Sequence, residues 1–168
     1  MTRNAVVLAA MLAALLLTPR LNASDEQIDR DSLRTLDGVR VAVEDLPASA
    51  PKDLNKDALR RFVESRLAAA HVPPQGPGEF PTGDPFLRVT IKTTAESGGV
   101  VGYHIALEFV QVVFVRRNPM LTFNRAQTWA ANAHMGLAAR AQLVERVQKD
   151  LAEEVDQFIA AYKSVNPN

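Results

Sequence analysis

Apolar and polar residues alternate along three stretches of the chain, and each alternation predicts a strand with one buried face. The first stretch begins at Leu36 and alternates through Val43, and the second covers residues 86–94. The third, residues 103–116, is the longest. At about 3.3 Å per residue it would reach roughly 46 Å, well beyond an ordinary strand, so we expect it to bend, bulge or project beyond the sheet.

A hairpin is predicted at the end of the long strand. Residues 117–120, Arg-Asn-Pro-Met, have turn chemistry, and residues 122–131 then alternate again. The return strand should therefore lie antiparallel beside the long one. Residues 132–136 break the pattern.

Apolar residues spaced by three and four predict two helices. The first begins after Asn55, a good N-cap, and ends near His71 because Pro73 cannot continue it. The second runs from about Leu137 to Tyr162, and at 1.5 Å per residue it spans roughly 37 Å. The predicted fold class is α+β, a two-layer sandwich in which two helices pack on one face of a mainly antiparallel sheet of about four strands.

The first residues of the chain are typical of a secretory signal. Arg3 precedes an unbroken apolar run of 13 residues, 5–17, and Leu21 and Ala23 stand where a signal peptidase reads, which predicts cleavage after Ala23. The alternative is an uncleaved anchor, although a spanning helix needs roughly 20 residues. We expect an exported protein, periplasmic or secreted, with residues 24–35 as a flexible lead-in and residues 36–168 as a single domain.

The charge balance and the absence of cysteine exclude several classes of function. The chain has 19 basic and 19 acidic residues, and loss of the signal leaves 17 basic residues against 19 acidic ones. No basic stripe is present, so we expect no nucleic-acid partner. The absence of cysteine excludes disulfides, thiolate metal sites, cysteine nucleophiles and a lipid anchor on cysteine.

Candidate chemistry is sparse, and we expect no catalytic residue, no metal and no cofactor. Ser97 stands in a glycine-rich turn and not in a nucleophile elbow. Glu153, Glu154 and Asp156 are expected on a solvated helix face. The three histidines come from different elements, without the spacing of metal ligands. They are His71, expected at a helix end, His104, on a strand with Glu108, and His134, expected in a turn.

The second half of the long strand is apolar on both faces, whereas a half-buried strand should be apolar on one. A two-faced central strand or a bulge that swaps faces would explain this pattern. The other interpretation is a docking surface for a second subunit or an envelope protein. Trp129 is expected to be a core aromatic. The candidate interface consists of Val110, Val112 and Phe114, with Arg116 and Arg117 as its polar rim.

Three short motifs resemble a widespread group of exported bacterial proteins of unassigned function. They are residues 36–39 (Leu-Asp-Gly-Val), the pair Thr128-Trp129, and the closing series Phe158, Tyr162 and 165–167 (Val-Asn-Pro). In the order of its elements the chain is also similar to the amino-terminal domain of the TolB family and to related envelope lipoproteins. The resemblance implies an envelope adaptor and transfers no functional residue.

The sequence thus predicts an exported, non-catalytic envelope or periplasmic protein that contacts another envelope protein, or itself, through the long hairpin. Contact with a membrane is expected only through an uncleaved signal segment. The alternative is a small-molecule binding protein or an unrecognised hydrolase. Its pocket would lie near the proline-rich loop of residues 73–85 and would be lined by His104, Glu108 or Trp129.

Overall fold

The structure, a computed structural model, describes residues 25–36, 38–73, 75 and 85–167. The expected signal segment and most of the proline-rich loop lie outside the described residues. The fold is the predicted α+β class, with five strands and three helices in the described part of the chain. In order these are helix α1 (Gln27–Asp31), strand β1 (Arg40–Val43), helix α2 (Lys56–Ala69), strands β2 (Phe86–Thr93), β3 (Val100–Val115), β4 (Asn118–Ala130) and β5 (His134–Ala139), and helix α3 (Leu143–Val165).

The long strand β3 organises the sheet. Strand β1 pairs in parallel with β2, and β2 pairs antiparallel with β3, with Val89 opposite Leu107. Strand β5 pairs with the first half of β3 and strand β4 pairs with the second half, both antiparallel. The 16-residue length of β3 is therefore explained by two partners that it pairs with one after the other on the same side.

Strand β5 corrects the prediction of a helix from about Leu137. The helix begins six residues later, at Leu143. Leu137 itself lies on strand β5, and 78% of the surface of this residue is exposed. Backbone groups in the first half of β3 need a partner, and residues 134–139 supply one. The positions of β5 that face the helices are His134, Gly136 and Ala138, which are too small or polar to produce an apolar alternation.

The core lies between the helices and one face of the sheet. Asn55 caps α2 as predicted, because its side chain accepts a hydrogen bond from the Ala58 backbone at 3.0 Å. Phe158 of α3 packs against Trp129, edge to face, with ring centroids 5.2 Å apart. Trp129 has no exposed surface, which confirms that it is a core aromatic. Among the described residues, no helix combines the length and the apolar character needed to cross a membrane.

The segment expected to be a flexible lead-in forms part of the fold. It contains helix α1, and Leu33 has no exposed surface. The Trp129 indole donates a hydrogen bond to Asp25 at 2.8 Å, and Arg30 pairs with the same carboxylate at 2.7 Å. Burial acts to raise the pKa of Asp25, but the hydrogen bonds from Arg30 and Trp129 outweigh it and lower the pKa below its ordinary value. Two large apolar residues in this polar stretch, Ile28 and Leu33, stand five positions apart and give no periodicity, so the sequence pattern could not show this packing.

Candidate functional site

The end of the β3–β4 hairpin extends beyond the core, and we call residues 112–127 the arm. The two strands turn at Arg116 and Arg117, and every residue from 116 to 125 is exposed. Four large apolar side chains of the arm are more than half exposed. They are Phe114, 67% exposed, Met120, 90%, Leu121, 51%, and Phe123, 60%. A concentration of large apolar side chains in water marks a contact surface.

The base of the arm is held by bulges and by hydrogen bonds to the body. The register of β3 and β4 shifts between Phe109 and Val110 and again further along the arm, as expected for a long strand. The Gln111 side chain donates to the Thr128 hydroxyl at 2.8 Å and to the Ser32 carbonyl at 3.2 Å. These contacts tie the arm to the segment after α1.

The structure divides the residues of the candidate interface into two groups. Val110 has no exposed surface and therefore lies beneath the arm's surface, not on it. Val112 is half-buried, whereas Phe114, Arg116 and Arg117 are exposed. Met120, Leu121 and Phe123 complete the apolar surface. The sequence pattern places Met120 in the turn and Phe123 on one face of the return strand, and residue type alone does not show that these side chains are exposed.

The apolar side chains of the arm lie on both of its faces. Val113 pairs with Phe123, and Phe114 pairs with Thr122. Paired residues in an antiparallel ladder share a face and successive residues alternate, so Phe114 and Phe123 point to opposite faces. Both rings are more than half exposed, and the arm is therefore a two-sided element.

The arm is also purely cationic. It carries Arg116, Arg117 and Arg125, and the chain has no acidic residue between Glu108 and Glu145. All three guanidinium groups belong to exposed residues and form no ion pair with any residue that the structure describes. Their charge is therefore available to a partner.

A second cluster lies where strand β5 meets helix α3, and it corrects two predictions. Glu154 has no exposed surface, although a solvated position was expected. His134 is the first residue of β5 and not part of a turn, and its Nδ1 lies 3.2 Å from a Glu154 carboxylate oxygen. The His134 backbone N–H also donates to that oxygen, at 3.2 Å. Burial raises the pKa of Glu154 to about 7, although the hydrogen bond with His134 opposes the rise.

This cluster contains the residue types of a catalytic or metal site, but solvent does not reach its central carboxylate. Glu153 lies 3.4 Å from Nε2 of His134 and is half exposed, whereas the Glu154 carboxylate is closed to solvent. Within the described ranges, no group of three or more ligating side chains is arranged to hold a metal ion. The cluster therefore positions β5 against α3.

A shallow groove of about 500 Å³ lies on the sheet face away from the helices. It crosses Gly102 and His104 and is bordered by Met135 and Leu137. The residues of the alternative pocket are not brought together there. His104 lines the groove, but Glu108 is paired with Arg88 at 2.7 Å, and Trp129 is buried on the opposite face of the sheet.

Comparison with known proteins adds little to this geometry. The sequence matches no known protein family and no curated protein. Among solved structures, the chain is similar to a minor lipoprotein from Acinetobacter baumannii, with 18% sequence identity and a TM-score of 0.35. The similarity covers 74% of this chain and 95% of that protein. A similarity at this TM-score supports no statement about function.

Proposed function

We propose that this is an exported, non-catalytic envelope protein that attaches to another component of the envelope through its arm. The observation that carries the proposal is the exposure of Phe114, Met120, Leu121 and Phe123 on an element that projects from a well-packed core. The other surface with large exposed apolar side chains in the described part of the chain, Met135 and Leu137, lies beside one lysine, Lys92, whereas the arm carries three arginines. The core anchors the base of the arm, and the exposed part of the arm contacts the envelope component.

The energetics indicate what kind of contact the arm can make. Full burial of a large apolar side chain contributes about 1.5–3 kcal/mol, so four of them contribute roughly 6–12 kcal/mol. Association costs about 4–15 kcal/mol in lost freedom of motion. Apolar burial alone therefore gives a marginal attachment, and the three arginines are needed to make it specific.

The test uses purified residues 24–168 and washed bacterial envelope membranes. The bound fraction is measured by sedimentation for the wild type, for the arm variant F114E/F123E and for the control variant M135E/L137E. The control replaces two exposed apolar residues on β5, so it makes the same change in charge and polarity outside the arm. We expect the wild type and the control to bind alike, and the arm variant to lose at least about tenfold in affinity.

Two results would contradict the proposal. One is equal binding by all three proteins, and the other is a wild type that stays in the supernatant. Unchanged circular dichroism and thermal midpoints establish that each variant is folded. Export is checked separately, by sequencing the amino terminus of the protein recovered from the cell envelope. Ser24 is expected as its first residue, whereas an intact Met1 would indicate an uncleaved anchor.

A further inference from the structure

We propose that the component bound by the arm is the surface of an anionic lipid bilayer, into which the tip of the arm inserts. This inference rests on the proposed function and names the class of its partner. From the sequence alone we expect membrane contact only through an uncleaved signal segment. The two-sided exposure of the arm is the structural observation that changes this expectation.

The two exposed faces of the arm require a partner that can cover both. Phe114 and Phe123 point to opposite faces of a two-stranded ribbon, and Met120 lies near its turn with 90% of its surface exposed. A partner with an ordinary protein surface would cover one face and leave the other ring in water. The boundary between headgroups and acyl chains surrounds an inserted hairpin and covers both faces together.

The charge of the arm is complementary to an anionic surface. The three arginines of the arm face no carboxylate from the chain between Glu108 and Glu145. An anionic leaflet attracts each basic residue near its surface, which raises binding roughly fivefold per arginine. Arginine can keep its charged head among lipid phosphates while its stem lies along apolar surface. At a shallow depth in the bilayer, the apolar side chains can therefore leave water while the arginines contact lipid phosphates.

The edge of strand β4 disfavours a second copy of this chain as the partner. Strand β4 lies at the edge of the sheet, where another strand could add, but it carries Pro119, Arg125 and several shifts of register. Prolines, charges and bulges on an edge strand oppose strand-to-strand pairing. Two arms would also bring like charges together, because neither contains an acidic residue.

The experiment uses protein-free vesicles of phosphatidylcholine alone and of phosphatidylcholine with an equal amount of phosphatidylglycerol. The chain has no cysteine, so M120C and M135C each provide a single site for an environment-sensitive fluorophore. Both positions are strongly exposed, at 90% and 83%, but only Met120 lies on the arm. We expect a blue shift of emission, and quenching by spin-labelled acyl chains, at position 120 only and with the anionic vesicles only.

Charge variants test the electrostatic part of the inference. R116Q/R117Q should lower the partition coefficient on anionic vesicles by roughly tenfold or more. The control K149Q/K163Q removes the same charge from exposed positions on α3 and should bind like the wild type. Added salt should weaken binding of the wild type, because it screens exposed charges.

The outcomes separate this inference from the proposed function. Arm-dependent binding to envelope membranes without binding to protein-free vesicles would overturn the inference, leave the proposed function intact and indicate an envelope protein as the partner. A lipid-free dimer that F114E/F123E dissociates in light scattering would also overturn it, in favour of a second copy. Absence of binding to vesicles and to envelope membranes would contradict both.

Discussion

Glu154 shows how far one residue can depart from its sequence context. Beside Glu153 on an amphipathic helix it has the pattern of a solvated pair, yet it has no exposed surface. One carboxylate oxygen contacts His134, and the other has no hydrogen-bond partner among the described residues. An unpaired buried oxygen disfavours the charged carboxylate, and Asp150 nearby on α3 adds repulsion.

Stability should therefore depend on pH through Glu154. The pKa is raised from 4.5 in the unfolded chain to about 7 in the fold, so the folded protein holds the proton more tightly. The contribution is fully present below pH 4.5 and is lost as the pH rises through about 7. Its size is about 3 kcal/mol. Relative to E154Q, the wild type should lose this amount of unfolding free energy across that range, as measured by urea denaturation.

The matched control for this measurement is E153Q. Glu153 contacts the other nitrogen of His134 but is half exposed, so its removal should leave the pH dependence of the wild type in place. A pH dependence that is the same in E154Q and in the wild type would show that another group is responsible.

At the scale of elements, strand β3 combines three roles that a single alternation cannot express. Its first half pairs with β5, its middle lies in the core, and its end forms one side of the arm. Val110 and Phe114 have the same parity along the strand, but one has no exposed surface and the other is 67% exposed. The register with β4 shifts between these two positions, so equal parity along β3 does not give the two side chains the same surroundings.

This division predicts opposite outcomes for one substitution at two positions of the same strand. V110E places a carboxylate where no water reaches and should lower the unfolding free energy by about 3 kcal/mol or more. F114E changes an exposed residue and should stay within about 0.5 kcal/mol of the wild type. Denaturant unfolding of both variants measures these changes. A large loss of unfolding free energy in F114E would show that Phe114 belongs to the core.

The sequence predicted β1, β2, β3, β4 and α2 from alternation, helical spacing and the Asn55 cap. It missed β5 because the positions of that strand that face the helices carry small or polar residues, and its outward positions carry Met135 and Leu137. An apolar residue that faces solvent cannot be distinguished from a core residue by type alone. The arm was predicted as a hairpin, but only the structure shows that Met120, Leu121 and Phe123 are exposed.

At the scale of the whole molecule, the start of the described chain is joined to its end and to the base of the hairpin. The Asn166 side chain donates to the Leu33 carbonyl at 2.8 Å and accepts from the Thr35 backbone at 2.9 Å. The Trp129 indole reaches Asp25 across more than a hundred residues of sequence. Residues 25–36 therefore close the fold.

A pair of alanine substitutions in this segment tests that role. L33A removes a side chain with no exposed surface and should cost about 2–5 kcal/mol of unfolding free energy. I28A, in helix α1, removes a side chain that is 75% exposed and should change stability by less than about 0.5 kcal/mol. Equal and small effects in thermal and urea unfolding would mean that the segment is a flexible lead-in after all.

The sequence by itself determined the fold class, most strands, the capped helix and the hairpin, because those features follow from local periodicity and turn chemistry. Tertiary structure alone decided which equivalent residues are covered. It buried Glu154 and Val110, exposed Phe114 and Leu137, and drew Leu33 into the core. The physical reason is that burial depends on which elements pack over a residue, and those elements come from distant parts of the chain.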